Sequence, residues 1–124
     1  MTRLHNKMGV KGFTIVELIF TVLILALLAA IAIPQFVAYR ARANSASANV
    51  AVRQAYTAAE SYFGDHPGAM VSVNDLSAYG YNPHLSIILT IGGARLITNF
   101  TIQAIHAGGG STFTIDERGE ITRS

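Results

Sequence analysis

The sequence predicts an α+β fold, in which a long N-terminal α-helix, membrane-spanning at its start, packs its C-terminal half on a small antiparallel β-sheet. Three observations point there. Leu18 to Ile33 is an apolar run holding eleven Leu, Ile, Val or Phe residues. An alanine-rich stretch with helical spacing continues to about Phe63. The last third of the chain is rich in β-branched residues punctuated by glycines. At 124 residues and 51% apolar content, the chain has room for one small domain and an anchor. The expected divisions are a basic N-terminal stretch at 1–12, an apolar helix at 13–37 and a globular domain at 38–124.

Met1 to Gly12 carries Arg3, Lys7 and Lys11, which account for the formal charge of +2. From Phe13 onward six arginines face seven acidic residues, a net of −1. The basic balance is thus a topological signal and not a nucleic-acid surface, because positive flanks stay on the cytoplasmic side. The N-terminus is expected in the cytoplasm with the rest outside.

From Phe13 to Val37 a helix reaches about 37 Å, enough for a hydrocarbon core of about 30 Å. The eleven large apolar residues favour insertion by roughly 5 kcal/mol in total. Glu17 opposes it at about 2.5 to 3.5 kcal/mol or less, since it sits near the interface. Insertion wins, and the residual penalty makes Glu17 a carboxylate in search of a cation. A cut between Gly12 and Phe13 supplies one: a new ammonium four residues before Glu17, on a helix whose neighbours carry the same pair. Pro34 removes a backbone hydrogen bond and clashes with the preceding turn, so a local weakness is expected there.

Beyond Pro34 the alanines favour helix without furnishing a lipid-facing belt. Phe36, Tyr39, Ala43, Ala46 and Val50 recur at three and four residues and form the expected buried stripe, with Arg40, Arg42 and Arg53 toward water. Gly64-Asp65-His66-Pro67-Gly68 ends the helix. A loop with Asn74-Asp75 and a turn through Tyr79-Gly80-Tyr81 lead to strands at His84–Ile91 and Leu96–Ile105, joined by Gly92-Gly93. Thr112–Ile115 and Glu120–Thr122 flank Glu117-Arg118-Gly119 as a final hairpin. The sheet has three or four strands and needs the helix as its packing partner.

The chemistry of catalysis is missing from the pattern. His5, His66, His84 and His106 lack metal-ligand spacing and cysteine support. Gly108-Gly109-Gly110 opens no helix and reads as a turn. Asp116, Glu117 and Glu120 suit a solvated hairpin better than a metal site, and the Asn99-Phe100-Thr101 sequon falls inside a strand. No enzyme activity, cofactor, metal or specific nucleic acid is expected. The aromatics along the helix, from Phe13 to Phe63, serve packing before electron transfer.

An ordinary secretory signal peptide explains the start less well. The run of sixteen residues exceeds the usual ~7 to 15, and the small-residue sites at Ala41-Arg42-Ala43 and Ala46-Ser47-Ala48 lie far beyond Ile33. An uncut bitopic anchor leaves Glu17 unexplained.

Gly12-Phe13-Thr14-Ile15-Val16-Glu17, the apolar run and Leu28-Ala29-Ala30-Ile31-Ala32-Ile33-Pro34-Gln35-Phe36 closely resemble the N-terminus of type IV pilins of the short-leader (type IVa) class. The resemblance is strong over Lys11 to Arg42 and covers only general layout beyond. It implies that a prepilin peptidase and methyltransferase cuts after Gly12 and N-methylates Phe13. It further implies that Phe13, Glu17 and Pro34 serve assembly, Glu17 pairing with the Phe13 amine of an adjacent subunit. The product is a homo-oligomeric helical filament for adhesion, motility or related surface functions, raised from an inner-membrane, single-pass precursor by the pilus assembly machinery. A pseudopilin of a type II secretion system shares this start, and a membrane-anchored periplasmic binding module is a third possibility. Two features depart from the family: Ala26 stands where many members have Gly, and the chain has no cysteine for a C-terminal disulfide.

Overall fold

A computed structural model describes residues 12–82 and 84–124. Apart from Gly12, the expected leader with His5 and its three cations lies outside the described residues. The elements are α1 (Ile15–Asp65), α2 (Val73–Ala78), β1 (Ile87–Leu96), β2 (Asn99–His106), β3 (Phe113–Asp116) and β4 (Ile121–Arg123). The four strands form one antiparallel sheet in the order β1-β2-β3-β4. The protein is therefore α+β, as its pattern predicts. Contacts group the chain into two units that divide between Phe36 and Val37.

In the second unit, α1 buries Asn44, Ala48, Ala51, Val52, Ala55, Ala58, Ala59 and Phe63. Spacings of three and four residues put these on one helical face. The face is mostly alanine, so the helix backbone can approach the sheet closely and the space between is filled from the other side. Phe100, Ile102 and Ala104 alternate inward along β2, and Phe113 and Ile115 do so along β3. Ile102 lies opposite Ile115 and Ala104 opposite Phe113, which stacks the inward side chains in register. Phe100 also meets the Tyr56 ring at 6.0 Å and the Phe63 ring at 5.3 Å. Val71, Leu76 and Tyr81 from the connection close the same core.

This face is not the one the sequence marks. Of the expected stripe, Phe36, Tyr39 and Val50 are 67%, 63% and 54% exposed, and Ala43 and Ala46 are exposed too. The reason is geometric: a close helix-sheet contact needs small residues, so the alanine face turns inward and the large apolar side chains stay outside.

Two local expectations also need correction. The segment at Asn74-Asp75 is helix α2 and not loop. Its N-cap Ser72 hydroxyl accepts from the Asp75 N–H (3.4 Å), and the Asp75 carboxylate accepts from the Ser72 N–H (2.8 Å), a reciprocal capping box. Gly92 and Gly93 are not the first hairpin turn but lie within β1, and Ile97-Thr98 makes the turn. Gly92 is there because a Cβ would meet Thr101 Oγ1 at 2.8 Å, while Gly93 has φ 73° at a register slip before Leu96. Both are uses of glycine inside a strand: close approach and a bulge. The helix ends at Asp65, within two residues of the expected end. The final hairpin forms as expected. Asp116 Oδ1 accepts from the Arg118 N–H (3.0 Å) and the Glu120 N–H (2.8 Å), and Gly119 takes a positive φ.

Two stability predictions follow from this core, both read as melting temperature of the full chain in detergent. Ala55, wholly buried, has no space for added volume, so Ala55→Leu should cost about 1 to 3 kcal/mol. A melting temperature equal to the parent's would show the helix-sheet spacing to be slack. Tyr81 is buried, and its hydroxyl meets no hydrogen-bond partner among the described residues. Tyr81→Phe should therefore be neutral or stabilising by about 1 kcal/mol, and a clear loss would mean the hydroxyl is held.

Candidate functional site

The residues singled out for processing and assembly sit at the start of α1. Gly12, Phe13 and Thr14 precede the helix, and both Gly12 and Phe13 are exposed. The helix begins where Thr14 and Glu17 hold each other. The Thr14 N–H donates to Glu17 Oε2 at 2.9 Å, and the Glu17 N–H donates to Thr14 Oγ1 at 3.2 Å. The Leu18 N–H then closes the first turn on the Thr14 carbonyl at 3.1 Å. This is again a reciprocal capping box, which satisfies donors that a helix start leaves free. Thr-x-x-Glu before an apolar run is its sequence signature, so the role of Thr14 was legible in Thr14-Ile15-Val16-Glu17 and was missed.

The cap has a physical consequence for Glu17. The Thr14 N–H engages one carboxylate oxygen and orients the group, while Oε1 accepts no hydrogen bond among the described residues. An anion in the first turn also suits the positive end of the helix dipole. One turn later the Thr21 hydroxyl donates to the Glu17 carbonyl at 2.8 Å, so its polar group is spent within the helix. From Leu18 to Ile33 the large apolar side chains are all more than half exposed. This part of α1 is long and apolar enough to cross a membrane by length and composition. α1 continues through Pro34, which has no N–H for the Ala30 carbonyl.

The second unit contributes no comparable chemistry. Among the described residues no group of three His, Asp or Glu could hold a metal. His84 Nδ1 accepts from the Ser86 N–H (3.3 Å) and His106 Nδ1 from the Gly108 N–H (3.0 Å), so both imidazoles brace turns. His66 stacks on Tyr62 at 4.7 Å and contacts the Tyr79 hydroxyl, which donates to Asp65 Oδ2 at 3.0 Å. Desolvation, helped by that Asp65 bond, raises the Tyr79 phenol above its ordinary value. The Ser72 hydroxyl holds the Asp75 carboxyl below the usual range.

Sequence reasoning also passed over Asn44 and Ser45. Asn44 is buried and donates to the Gly108 carbonyl at 3.2 Å. Ser45 Oγ accepts from the Ser111 N–H at 2.9 Å and donates to the Ala41 carbonyl. A Cβ at Gly110 would meet Ser45 Oγ at 3.0 Å, so the glycine turn at 108–110 exists to lie backbone-close against α1. Nothing in the spacing of those residues signals a contact across more than sixty positions.

No protein-family model matches the chain. It is similar to a type IV major pilin protein, PilA, of Myxococcus xanthus, with 42% identity over 55 residues, 44% of this chain and 25% of that protein. It is also similar to a fimbrial protein of Pseudomonas aeruginosa, with 51% identity over 51 residues, 41% of this chain and 33% of that protein. The match thus spans between a quarter and a third of the length of these curated relatives. By sequence, then, the chain resembles type IV pilins and fimbrial proteins.

Proposed function

We propose that this chain is a structural subunit of a type IV pilus, made as a single-pass inner-membrane precursor and polymerised into an extracellular filament. The observation that carries the reading is the uncovered apolar helix headed by a capped carboxylate. No described residue shields Leu18 to Ile33, and an apolar helix face of that length requires lipid or other copies of itself.

In this reading a prepilin peptidase cuts between Gly12 and Phe13 and the new Phe13 amine is methylated. Both residues lie outside the helix and in solvent, as a scissile bond must. The cut converts an amide into an ammonium four residues before Glu17. A neighbouring copy's Glu17 then offers its free oxygen to that cation. The pairing is intermolecular and the two partners are different groups, so the contact is heterologous and propagates into a filament rather than closing a dimer. Helix faces pass from lipid to protein without new hydrophobic gain, so van der Waals fit and this ion pair decide register. Pro34 weakens the helix ladder where the precursor would leave the membrane, and no enzymatic role is required.

Two measurements test the reading. N-terminal sequencing and mass of the chain in a fraction sheared from cells should give N-methylated Phe13 in polymeric material, whereas a retained Met1 would overturn processing. Glu17→Gln keeps a cap acceptor for the Thr14 N–H but removes the charge. It should insert and be cut like the parent while yielding at least tenfold fewer filaments, and Glu17→Ala should do the same. Normal filament yield from Glu17→Gln, counted by electron microscopy, would remove the ion pair from the mechanism.

A further inference from the structure

The sheet of the unit Val37–Ser124 ends on β1. In the order β1-β2-β3-β4 one side of that strand is paired, and among the described residues no strand covers the other. The ladder fixes which groups look outward. Ala107 donates its N–H to the Ser86 carbonyl at 2.7 Å, one step before the pair of Ile87 and His106. The pairs that exchange hydrogen bonds with β2 are therefore Ile88 with Ile105, Thr90 with Gln103 and Gly92 with Thr101. The N–H and C=O groups of Leu89 and Ile91 point away from β2. Among the described residues no hydrogen bond reaches them, whereas the Ile87 N–H is taken by the His84 carbonyl at 2.9 Å.

Sheet edges of monomeric domains are blunted by charge, by proline or by shortness. Ile87-Ile88-Leu89-Thr90-Ile91-Gly92-Gly93 has no charge and no proline, in a strand of ten residues. An unpaired edge of this kind matches another extended strand, and this one matches itself. When a second β1 lies antiparallel with Thr90 against Thr90, Leu89 of each copy faces Ile91 of the other. Each outward N–H of those two residues then meets an outward carbonyl. Thr90 meets Thr90 in the close, non-hydrogen-bonded position, where threonine pairs are favourable. Ile88, 55% exposed, lies against Gly92, which has no side chain to collide with it.

We infer that the free edge of β1 docks the β1 strand of a second copy, and that this contact joins two filaments side by side. The inference rests on the filament reading above and adds a second kind of contact to it. The axis that relates the two strands is a two-fold normal to the joined sheet. The part of α1 in this unit packs on the inner face of the sheet and lies along it, so the axis reverses the helix direction. Copies within one head-to-tail filament all point the same way, and the partner therefore belongs to another filament that runs oppositely. One strand pair buries little surface and holds weakly, but repetition along two filaments multiplies it.

The test uses full-chain filaments sheared from cells. The chain has no cysteine, so Thr90→Cys introduces its only thiol. In the close position the two Cα atoms lie about 4.5 Å apart, within disulfide reach. Mild oxidation should join copies through position 90 at least tenfold more than it joins copies of Gln103→Cys, an exposed position one strand further in. Filaments that give no such product, equal product from both variants, or position 90 joined to a different protein would overturn the edge assignment and leave the filament reading standing. A parent chain that forms no filaments would overturn both. Separately, Thr90→Lys sets like charges against each other at an exposed position. The fraction of filaments lying side by side in electron micrographs should fall at least fivefold with total filament mass unchanged. An unchanged fraction, or parent filaments that occur only singly, would overturn the inference. So would loss of all filaments from Thr90→Lys, since the edge would then serve growth within one filament.

Discussion

The structure depends on one unmet requirement: the first half of α1 is apolar around its whole circumference and nothing in the described chain covers it. Apart from the Ala30 carbonyl, which Pro34 leaves without a donor, the helical ladder satisfies its backbone groups, which is the condition for life in lipid. Its side chains are satisfied only by a surrounding that the single chain does not provide. A soluble helix would turn one stripe inward and show charges on the other side. Here there is no polar side to show, and the carboxylate that interrupts the pattern stands in the first turn, where a helix best tolerates an anion.

The globular unit meets a different requirement by a different means. It has no cysteine and little polar cross-linking in its core, so close packing between α1 and the sheet must hold it. Alanines on the helix and large side chains on β2 and β3 interlock because each supplies what the other lacks in volume. The polar ties fall at the margins of that contact: Asn44 and Ser45 on the turn at 108–111, Tyr56 on the Glu117 carbonyl at 3.4 Å. Using small residues inward has a second effect, since the helix's bulky apolar residues Tyr39 and Val50 are left exposed.

Much of this was legible in the chain. The long helix, its ending at a Gly and Pro cluster, the antiparallel strands and the last hairpin follow from periodicity and turn chemistry acting over short range. The errors share one cause. Gly92-Gly93 has the composition of a turn, but the turn was taken by Ile97-Thr98 because the strand needed glycine for close approach to Thr101 and for a bulge. The stripe from Phe36 to Val50 has the hydrophobicity of a core face, yet the sheet selected the alanine face for distance. Each time, a contact with another element overrode a local preference.

By itself the sequence determined the elements whose causes are local: the apolar helix, the Thr14–Glu17 cap, the helix stop and the Asp116 hairpin. The motif from Gly12 to Glu17 and its resemblance to pilins were equally plain, because they are carried by consecutive residues. Only the tertiary structure decided which face of α1 is buried, and which glycines turn and which approach. Those outcomes depend on distances between segments, from the nine residues that separate Gly92 and Thr101 to the thirty-seven that separate Phe63 and Phe100, and periodicity along one segment contains no measure of them.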